Sequence, residues 1–302
     1  MKAIDAHAHI FRTLAGFGAE GELRAIGGGR GRWATGREEK IIPDGYGDTD
    51  FTAQSLLRMM DENGIGSAML LQGGFLGFEN DYLADVRREY PDRFQVAATF
   101  DPYCRKADAI LSHQIGDQGF RYFKFEMSTG CGIMGSHPAF RLDSTLMMGF
   151  YERIAAAGGC VIFDLGSPGD DSNQPDAVSN IASAFPSMPI VICHLMSPKR
   201  HHRTELEAGL RIMDRDNIFF DLAALFHKVR PEEYPFPRAR EFTALAIDLI
   251  GADRLMWGSD APSTVCSVPY SRQLDYLLPI LTDRQAEKIF FSNARMLYFP
   301  QD

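Results

Sequence analysis

The sequence has few cysteines, no long apolar run and fewer basic than acidic residues. Its five cysteines are scattered and form no Cys-x-x-Cys pair, which predicts unpaired thiols in a reducing compartment. It contains no stretch of about 18 apolar residues and no basic segment followed by an apolar one at its start, so we expect a cytoplasmic protein without a membrane partner. The formal net charge of -9 argues against nucleic acid or an anionic membrane surface as the main partner.

The chain also lacks the motifs of two common enzyme classes. No Gly-x-Ser-x-Gly nucleophile elbow is present, and no glycine-rich phosphate loop follows the first predicted strand. The run Gly27-Gly28-Gly29 is only superficially similar to such a loop, because no Gly-Lys-Ser/Thr follows it. A doubly wound open sheet is therefore disfavoured.

Short apolar runs alternate along the chain with segments of helical periodicity, and the 302 residues are 45% hydrophobic, enough for one large core. The predicted strands are residues 3–9, 68–72, 94–100, 120–126, 160–165, 190–194, 218–222 and 254–259. The predicted helices are residues 52–63, 82–90, 106–116, 146–157, 174–185, 204–214 and 238–249. This pattern predicts an α/β fold, a distorted (β/α)8 TIM barrel, as a single domain over residues 1–302.

Two connections are longer than the barrel repeat requires. A glycine-rich segment, residues 11–50, follows the first predicted strand, and residues 127–143 follow the fourth. In a barrel both lie at the carboxyl-terminal mouth, where loops carry substrate contacts. We expect the first segment to be a flexible lid.

Many of the predicted strands end in polar or ionisable side chains. Because unpaired buried charge costs free energy, convergence on one metal or polar pocket explains this pattern. The side chains concerned are His7, His9, Gln72, Asp101, Lys124, Glu126, Asp164, His194, Asp221 and Asp260.

His7, His9 and Asp260 are the clearest candidates for metal ligands. Side chains two residues apart in a strand point to the same face, so His7 and His9 present two imidazoles side by side. The first and last strands of a closed barrel are neighbours, which brings Asp260 to the histidines. A few nitrogen and oxygen ligands with an open position are what a catalytic metal site needs. Asp260 is also typical of a turn or cap before Ala261-Pro262.

His194, Asp164 and Lys124 each have a structural interpretation beside the chemical one. His194 is either a hydrogen-bonded core residue or a ligand or general acid/base. Asp164 either orients a neighbouring histidine or binds metal. Lys124 either forms a buried ion pair with Glu126 or faces the substrate.

Several segments of the chain resemble the amidohydrolase superfamily. The resemblance is to its amidohydrolase-related ("family 2") branch, which contains lactonase-like and metal-dependent TIM-barrel hydrolases and decarboxylases. The resemblance rests on residues 5–9, 56–65, 120–125, 191–194, 217–222, 257–262 and 288–294. It implies that His7 and His9 ligate a metal, that Asp260 is a ligand or base, and that His194 contacts metal or substrate. Metal-dependent relatives usually have a histidine where this chain has Asp164.

The resemblance implies a metal-dependent hydrolase that opens a lactone or similar ester of a small acidic compound. We expect Zn²⁺, with Mn²⁺ and metal-free operation as alternatives, held by His7, His9 and Asp260 together with Asp164. Asp260 would accept a proton from water, and His194 or Lys124 would stabilise the oxyanion. A non-oxidative decarboxylase of an aromatic or unsaturated acid is the second hypothesis, and a non-catalytic binding barrel is the third.

The expected partner is a small acidic substrate. Its carboxylate would be held by a basic residue such as Arg121, Arg200 or Arg203. His137 and His227, on predicted loops at the mouth, are further candidate contacts. The resemblance also suggests a homodimer.

Overall fold

The computed structural model describes residues 2–300 and confirms the predicted barrel. The strands are β1 (Ala3–Ala8), β2 (Ala15–Gly18), β3 (Gly21–Gly27), β4 (Arg30–Trp33), β5 (Glu38–Lys40), β6 (Ile65–Leu70), β7 (Phe94–Ala98), β8 (Tyr122–Glu126), β9 (Cys160–Asp164), β10 (Ile190–Ile192), β11 (Ile218–Asp221) and β12 (Leu255–Met256). The α-helices are α1 (Ala53–Glu62), α2 (Asn80–Glu89), α3 (Ala107–Gly116), α4 (Ile133–Ser136), α5 (Thr145–Ala156), α6 (Pro175–Ala184), α7 (Arg203–Ile212), α8 (Leu225–Lys228), α9 (Pro237–Ile250), α10 (Tyr270–Asp275), α11 (Asp283–Glu287) and α12 (Asn293–Tyr298).

The barrel consists of β1 and β6–β12, which lie side by side in chain order and pair in parallel. Backbone contacts between β1 and the segment after β12 close the circle. The Ala6 N–H donates to the Trp257 carbonyl at 3.0 Å, and the Asp260 N–H donates to the His7 carbonyl at 2.7 Å. This closure brings His7 and His9, near the start of the chain, and Asp260, near its end, together at the carboxyl-terminal mouth of the barrel.

The surrounding helices form for the reason that their periodicity predicts. In α1, Leu56, Met59 and Met60 are buried at helical spacing and the opposite face is polar. The Thr52 side chain accepts a backbone N–H of the first turn and so caps this helix. None of the helices in residues 2–300 is long and apolar enough to cross a membrane.

Left-handed backbone follows two of the barrel strands, β10 and β12. β10 ends at Ile192, and from His194 to Ser197 the backbone adopts positive φ angles of 55°, 50°, 64° and 50°. β12 ends at Met256, and Asp260 also has a positive φ of 60°. Such backbone costs on the order of 1–3 kcal/mol per non-glycine residue and persists only where surrounding contacts hold it. At both turns the backbone departs from the strand hydrogen bonding, and this places the side chains of His194 and Asp260 over the mouth of the barrel.

The segment after β1 is not the flexible lid that its glycine content predicts. It contains a four-stranded antiparallel sheet, β2-β3-β4-β5, and the Leu23 and Trp33 side chains are buried beneath it. The prediction is wrong because a glycine conceals the strand periodicity. In β4, Arg30 and Arg32 are exposed while Gly31 and Trp33 are buried. Because one buried position is a glycine, the alternation of polar and apolar residues expected of a strand is not visible in the sequence. The later segment, residues 127–143, contains only the short helix α4.

Replacing Gly258 with alanine is expected to destabilise the barrel at its closure. A Cβ at this position would lie 2.7 Å from the His7 Cβ and 3.0 Å from the His7 nitrogen. The crowding should lower the free energy of unfolding by about 1–3 kcal/mol, as measured by urea denaturation followed by circular dichroism. Gly149→Ala is the matched control, because a Cβ at this exposed helical position meets nothing within 4 Å. Equal stability of Gly258→Ala and the wild type would contradict the close approach of the two strands.

Candidate active site

A cavity of about 330 Å³ opens at the carboxyl-terminal mouth of the barrel. Barrel strand ends and the loops that follow them supply most of its lining. The ionisable side chains of the lining are His7, His9, Lys124, Glu126, Asp164, Asp170, His194, Lys228 and Asp260. All the residues that the sequence predicts as metal ligands or catalytic groups thus border one cavity.

The three histidines of this cavity are fixed in the same tautomer. Each Nδ1 lies within hydrogen-bonding distance of an oxygen that can only accept, so it carries the proton. The acceptors are Asp221 Oδ2 for His7 at 2.9 Å, the Leu71 carbonyl for His9 at 2.8 Å and the Ala223 carbonyl for His194 at 2.8 Å. The Nε2 atoms of His7 and His9 therefore present lone pairs to the cavity, as metal-ligating imidazoles do. His194 Nε2 instead faces Asp164 Oδ2 at 3.5 Å.

Three potential ligand atoms lie at the separations that a tetrahedral ion requires. His7 Nε2 and His9 Nε2 are 3.2 Å apart, and Asp260 Oδ1 lies 3.5 Å from the first and 3.0 Å from the second. Zinc with bonds of about 2.0–2.1 Å places tetrahedral ligand atoms roughly 3.3–3.4 Å apart. Two imidazole lone pairs this close repel each other unless a cation lies between them. The residues present therefore fit a bound metal ion.

His194 lies beside this ligand set. Its ligand atom and those of His7 and Asp260 are all within 4.8 Å of one another. Burial and the Lys228 charge work to lower the pKa of His194, but Asp164 and Asp260 outweigh them, and the pKa is raised. His194 is therefore suited to carry and donate a proton next to the ligands.

The charges of the cavity also favour a cation. Its lining contains four carboxyl groups and two ammonium groups, so acidic side chains outnumber the lysines. Burial lowers the pKa of His7 to about 4 despite the neighbouring Asp221, and its imidazole is neutral at physiological pH. Burial works to raise the pKa of Asp260, but His9 and His194 outweigh it and hold the pKa far below its usual range. A neutral imidazole and an ionised carboxylate are the forms that bind metal.

Asp164 lies beside His194 in the same cavity. Its Oδ2 is 3.5 Å from His194 Nε2, and its Oδ1 accepts the Gly166 N–H at 3.1 Å. The Ala223 carbonyl accepts from the other ring nitrogen of His194, so the imidazole has an oxygen on each side. Burial works to raise the pKa of Asp164, but His194 outweighs it and the carboxylate is ionised.

Lys124 is a buried cation that points into the cavity. Its side chain is almost fully buried, and within residues 2–300 no carboxylate lies within 4.0 Å of its ammonium group. The predicted Lys124–Glu126 ion pair is therefore absent as a direct contact. Burial works to lower the pKa of Lys124, but Glu126, Asp164 and Asp260 outweigh it and the pKa is raised. The group stays an ammonium ion, available to an anionic ligand.

Asp5 holds the first and last strands in register beneath the ligands. Its carboxylate accepts the backbone N–H groups of His7 at 3.0 Å and of Ser259 at 2.9 Å. It also accepts the hydroxyl groups of Ser259 and Tyr270, each at 2.5 Å. Because Ser259 precedes Asp260, this one carboxylate positions ligands from both strands. The sequence signal for it is the Asp-x-His-x-His spacing, which places Asp5 on the same strand face as His7.

Asp221 positions two of the histidines at once. One oxygen faces the His7 ring, and the other accepts the His194 N–H at 2.8 Å and the Ala223 N–H at 3.0 Å. The left-handed turn at His194 is thereby tied to the end of β11. Asp221 is recognisable from the sequence as a polar strand end, but its supporting role depends on the fold.

The arginines predicted to hold a substrate carboxylate lie outside the cavity. Arg121 precedes β8 and donates to two backbone carbonyls at the opposite end of the barrel. Arg200 lies 3.8 Å from Glu232, and Arg203 contacts Glu241 at 3.0 Å. Arg121 lies at the amino-terminal end of β8, away from the mouth, whereas Arg200 and Arg203 follow β10 but do not line this cavity. Lys228, which the sequence analysis missed, lies at the end of α8 and lines the cavity instead.

His137 and His227 line two other cavities at the mouth. His137 borders an adjoining cavity of about 540 Å³ and contacts Asp101 at 2.8 Å. His227 borders a cavity of about 420 Å³ and contacts the Ser267 hydroxyl at 2.7 Å. Burial and Arg230 lower the pKa of His227 to about 4. Neither histidine lines the cavity that contains the ligand set.

The family model described as amidohydrolase matches residues 4–299. The chain therefore belongs to the amidohydrolase family, as its motifs suggest. Among solved structures it is similar to an amidohydrolase from Burkholderia multivorans with bound zinc, with a TM-score of 0.72, 16% identity and 99% of each chain covered. It is also similar to a probable 2-pyrone-4,6-dicarboxylic acid hydrolase from Acinetobacter baumannii with citric acid bound, with a TM-score of 0.69, 18% identity and 99% of each chain covered.

A third similar structure is 5-carboxyvanillate decarboxylase from Sphingomonas paucimobilis, with a TM-score of 0.57 and 14% identity over 80% of this chain and 81% of that one. No curated protein matches the chain. At these identities the structural likenesses establish the fold. The reaction must be inferred from the site.

Replacing Asp221 with asparagine is expected to lower the affinity for zinc by about 10–100-fold, the usual cost of losing the carboxylate behind a ligating histidine. The amide can donate to His7 Nδ1 and so favour the tautomer in which Nε2 carries the proton. Competition for Zn²⁺ against a chromophoric chelator measures the change on metal-stripped protein. Asp216→Asn, at an exposed position just before the same strand, is the control and should bind zinc as the wild type does. Wild-type affinity in Asp221→Asn would show that this contact does not fix the ligand.

Proposed function

We propose that this protein is a metal-dependent hydrolase that opens a lactone or a similar ester of a small acidic compound. The observation that carries the proposal is the convergence of His7 Nε2, His9 Nε2 and Asp260 Oδ1 at 3.0–3.5 Å from one another. These atoms, with Asp164 next to them, would hold the ion. A divalent cation bound there would supply positive charge that acidifies water and polarises a carbonyl group. The zinc in the Burkholderia multivorans amidohydrolase supports Zn²⁺, with Mn²⁺ as the alternative.

Asp260 is the residue that we assign as general base. Its side chain is 20% exposed to the cavity, and the low pKa that the histidines impose keeps it ionised. Its left-handed backbone, fixed by the hydrogen bond from its own N–H to the His7 carbonyl, points the carboxylate toward the ligand set. A carboxylate held this way accepts a proton from attacking water without first having to reorganise.

His194 and Lys124 are the candidates for stabilising negative charge on the substrate oxygen. His194 with its raised pKa can donate from Nε2, and the Lys124 ammonium is buried without a direct carboxylate partner among the described residues. A well-placed donor of this kind contributes about 3 kcal/mol to stabilisation of the transition state. Both groups border the same cavity as the base.

The acidic character of the substrate is supported by the two lysines of the cavity. Lys124 and Lys228 are its cationic side chains, and no arginine belongs to the lining. The Acinetobacter baumannii relative contains bound citric acid, which supports a carboxylated substrate. Lys228 is intermediate in exposure and is the residue that we assign to a substrate carboxylate.

Decarboxylation is the second candidate, because the barrel of 5-carboxyvanillate decarboxylase resembles this one. The two reactions differ in their products. Lactone hydrolysis releases one proton per turnover, as followed with a pH indicator, whereas decarboxylation releases CO₂.

Asp260→Asn is expected to reduce the kcat of lactone hydrolysis by about 10²–10⁴-fold, the usual contribution of a general base. The assay uses a panel of carboxylated lactones, with proton release and CO₂ release recorded in parallel. Chelation of the wild type should abolish activity, and Zn²⁺ or Mn²⁺ should restore it. Asp275→Asn, at an exposed position on α10, is the control and should keep wild-type kcat. Undiminished turnover by Asp260→Asn would exclude its role as base, and CO₂ release without lactone opening would establish the decarboxylase.

Lys228→Gln is expected to weaken the binding of acidic substrates selectively. Loss of one charge-assisted contact should raise KM for a carboxylated lactone about 10-fold or more, and KM for a neutral lactone should stay nearly constant. Lys199→Gln, at an exposed position outside the cavity, serves as the control. Equal effects on both lactones would assign Lys228 a structural role instead.

A further inference from the structure

The cavity of about 540 Å³ that borders the candidate active site is a second binding space with a mainly apolar wall. Gly73, Glu126 and Cys131 line both cavities, so the two meet beside the end of β8. Beyond this junction the apolar lining is formed by Ala15, Phe17, Gly74, Gly77, Phe78, Gly132 and Ile133. A volume of this size lies within the range of small-molecule sites.

Two large aromatic side chains of this lining are exposed. Phe17 is 56% exposed and Phe78 is 48% exposed, although most large apolar side chains of the protein are buried. Exposed aromatic surface beside a cavity is typical of a ligand-binding site rather than of a solvated loop. A bound apolar group would cover both rings.

The wall is built by tight backbone contacts. The Phe17 N–H donates to the Gly74 carbonyl at 2.7 Å, and the Ala15 N–H donates to the Leu76 carbonyl at 3.0 Å. A Cβ on Gly74 would lie 1.8 Å from the Cys131 carbonyl oxygen, so only glycine allows this approach. The strand β2 is thus joined to the loop after β6 and to the loop after β8.

Two ionisable side chains of this cavity, His137 and Asp101, already have partners. His137 Nε2 and Asp101 Oδ2 are 2.8 Å apart, and the other Asp101 oxygen accepts the Tyr103 N–H at 2.8 Å. An apolar group bound in the cavity therefore leaves neither His137 nor Asp101 without a hydrogen-bond partner. Its binding does not incur the free-energy cost of an unsatisfied buried polar group at these two residues.

We propose that this cavity binds an apolar tail of the substrate while the reacting acidic head occupies the active-site cavity. The substrate is then an amphipathic lactone or ester that carries an aliphatic chain or an aromatic ring. The placement of the head rests on the proposed function. The tail site rests on the cavity wall itself and can be tested by binding alone.

Butanoate and octanoate are the probes, because they share a carboxylate head and differ by four methylene groups. Each methylene that enters an apolar site tightens binding by about three- to fourfold, so octanoate should bind the wild type at least 10-fold more tightly in isothermal titration calorimetry. Ala15→Trp and Ser136→Trp place a bulky ring in the cavity from exposed lining positions. In both variants the advantage of octanoate should fall to about twofold or less, with butanoate affinity unchanged.

Ala19→Trp is the matched control, since it adds the same ring to the same hairpin at an exposed position outside the cavity. It should keep the preference for octanoate, and circular dichroism should show that all variants are folded. The proposal is overturned if the wild type fails to bind octanoate, binds both acids equally, or keeps its preference in Ala15→Trp and Ser136→Trp. Hydrolysis of the panel of carboxylated lactones is measured separately. Its absence together with tail-dependent binding would refute the proposed reaction and leave the tail site intact.

Discussion

The contact between the first and last barrel strands is the constraint on which the candidate site depends. Each strand supplies part of a ligand set that neither can form alone, with His7 and His9 on one and Asp260 after the other. The Asp5 carboxylate joins them through the His7 and Ser259 N–H groups at 3.0 and 2.9 Å. Burial raises the pKa of Asp5 to about 6 in spite of these hydrogen bonds. The site is therefore held together by a buried carboxylate whose desolvation is compensated only in part by the four donors around it.

Contacts from the neighbouring strands β6 and β11 give the ligand atoms a defined direction. Oxygen acceptors behind the rings fix the proton on Nδ1 of His7, His9 and His194 and leave Nε2 toward the cavity. Left-handed backbone at His194 and Asp260 then brings two further side chains over the same point. Each left-handed residue is unfavourable by itself. Contacts from Asp221 and from the His7 carbonyl hold them, so the strain is located where the geometry of the site needs it.

Much of this organisation can be predicted from the sequence, for identifiable reasons. Eight apolar runs with helices between them predict a barrel. Because a barrel places strand ends together, it explains why His7, His9, His194 and Asp260 border one cavity. The position of a charge on a loop depends on tertiary contacts that no local pattern encodes. The sequence therefore suggests Arg121 and Arg200, whereas Lys228 lines the cavity. The sheet β2–β5 is missed because its buried positions include glycine.

The division between strands and insertions also suggests how reaction and specificity are separated in this protein. The ligand set and its supporting carboxylates lie on or next to the barrel strands, whose geometry is fixed by the closed sheet. The wall of the adjoining cavity comes from β2, α4 and the loops around them, which the barrel does not require. A change in those insertions can alter the space for a substrate tail without moving His7 or Asp260. Substrate range in this chain should therefore follow the two long insertions, while the chemistry follows the strand ends.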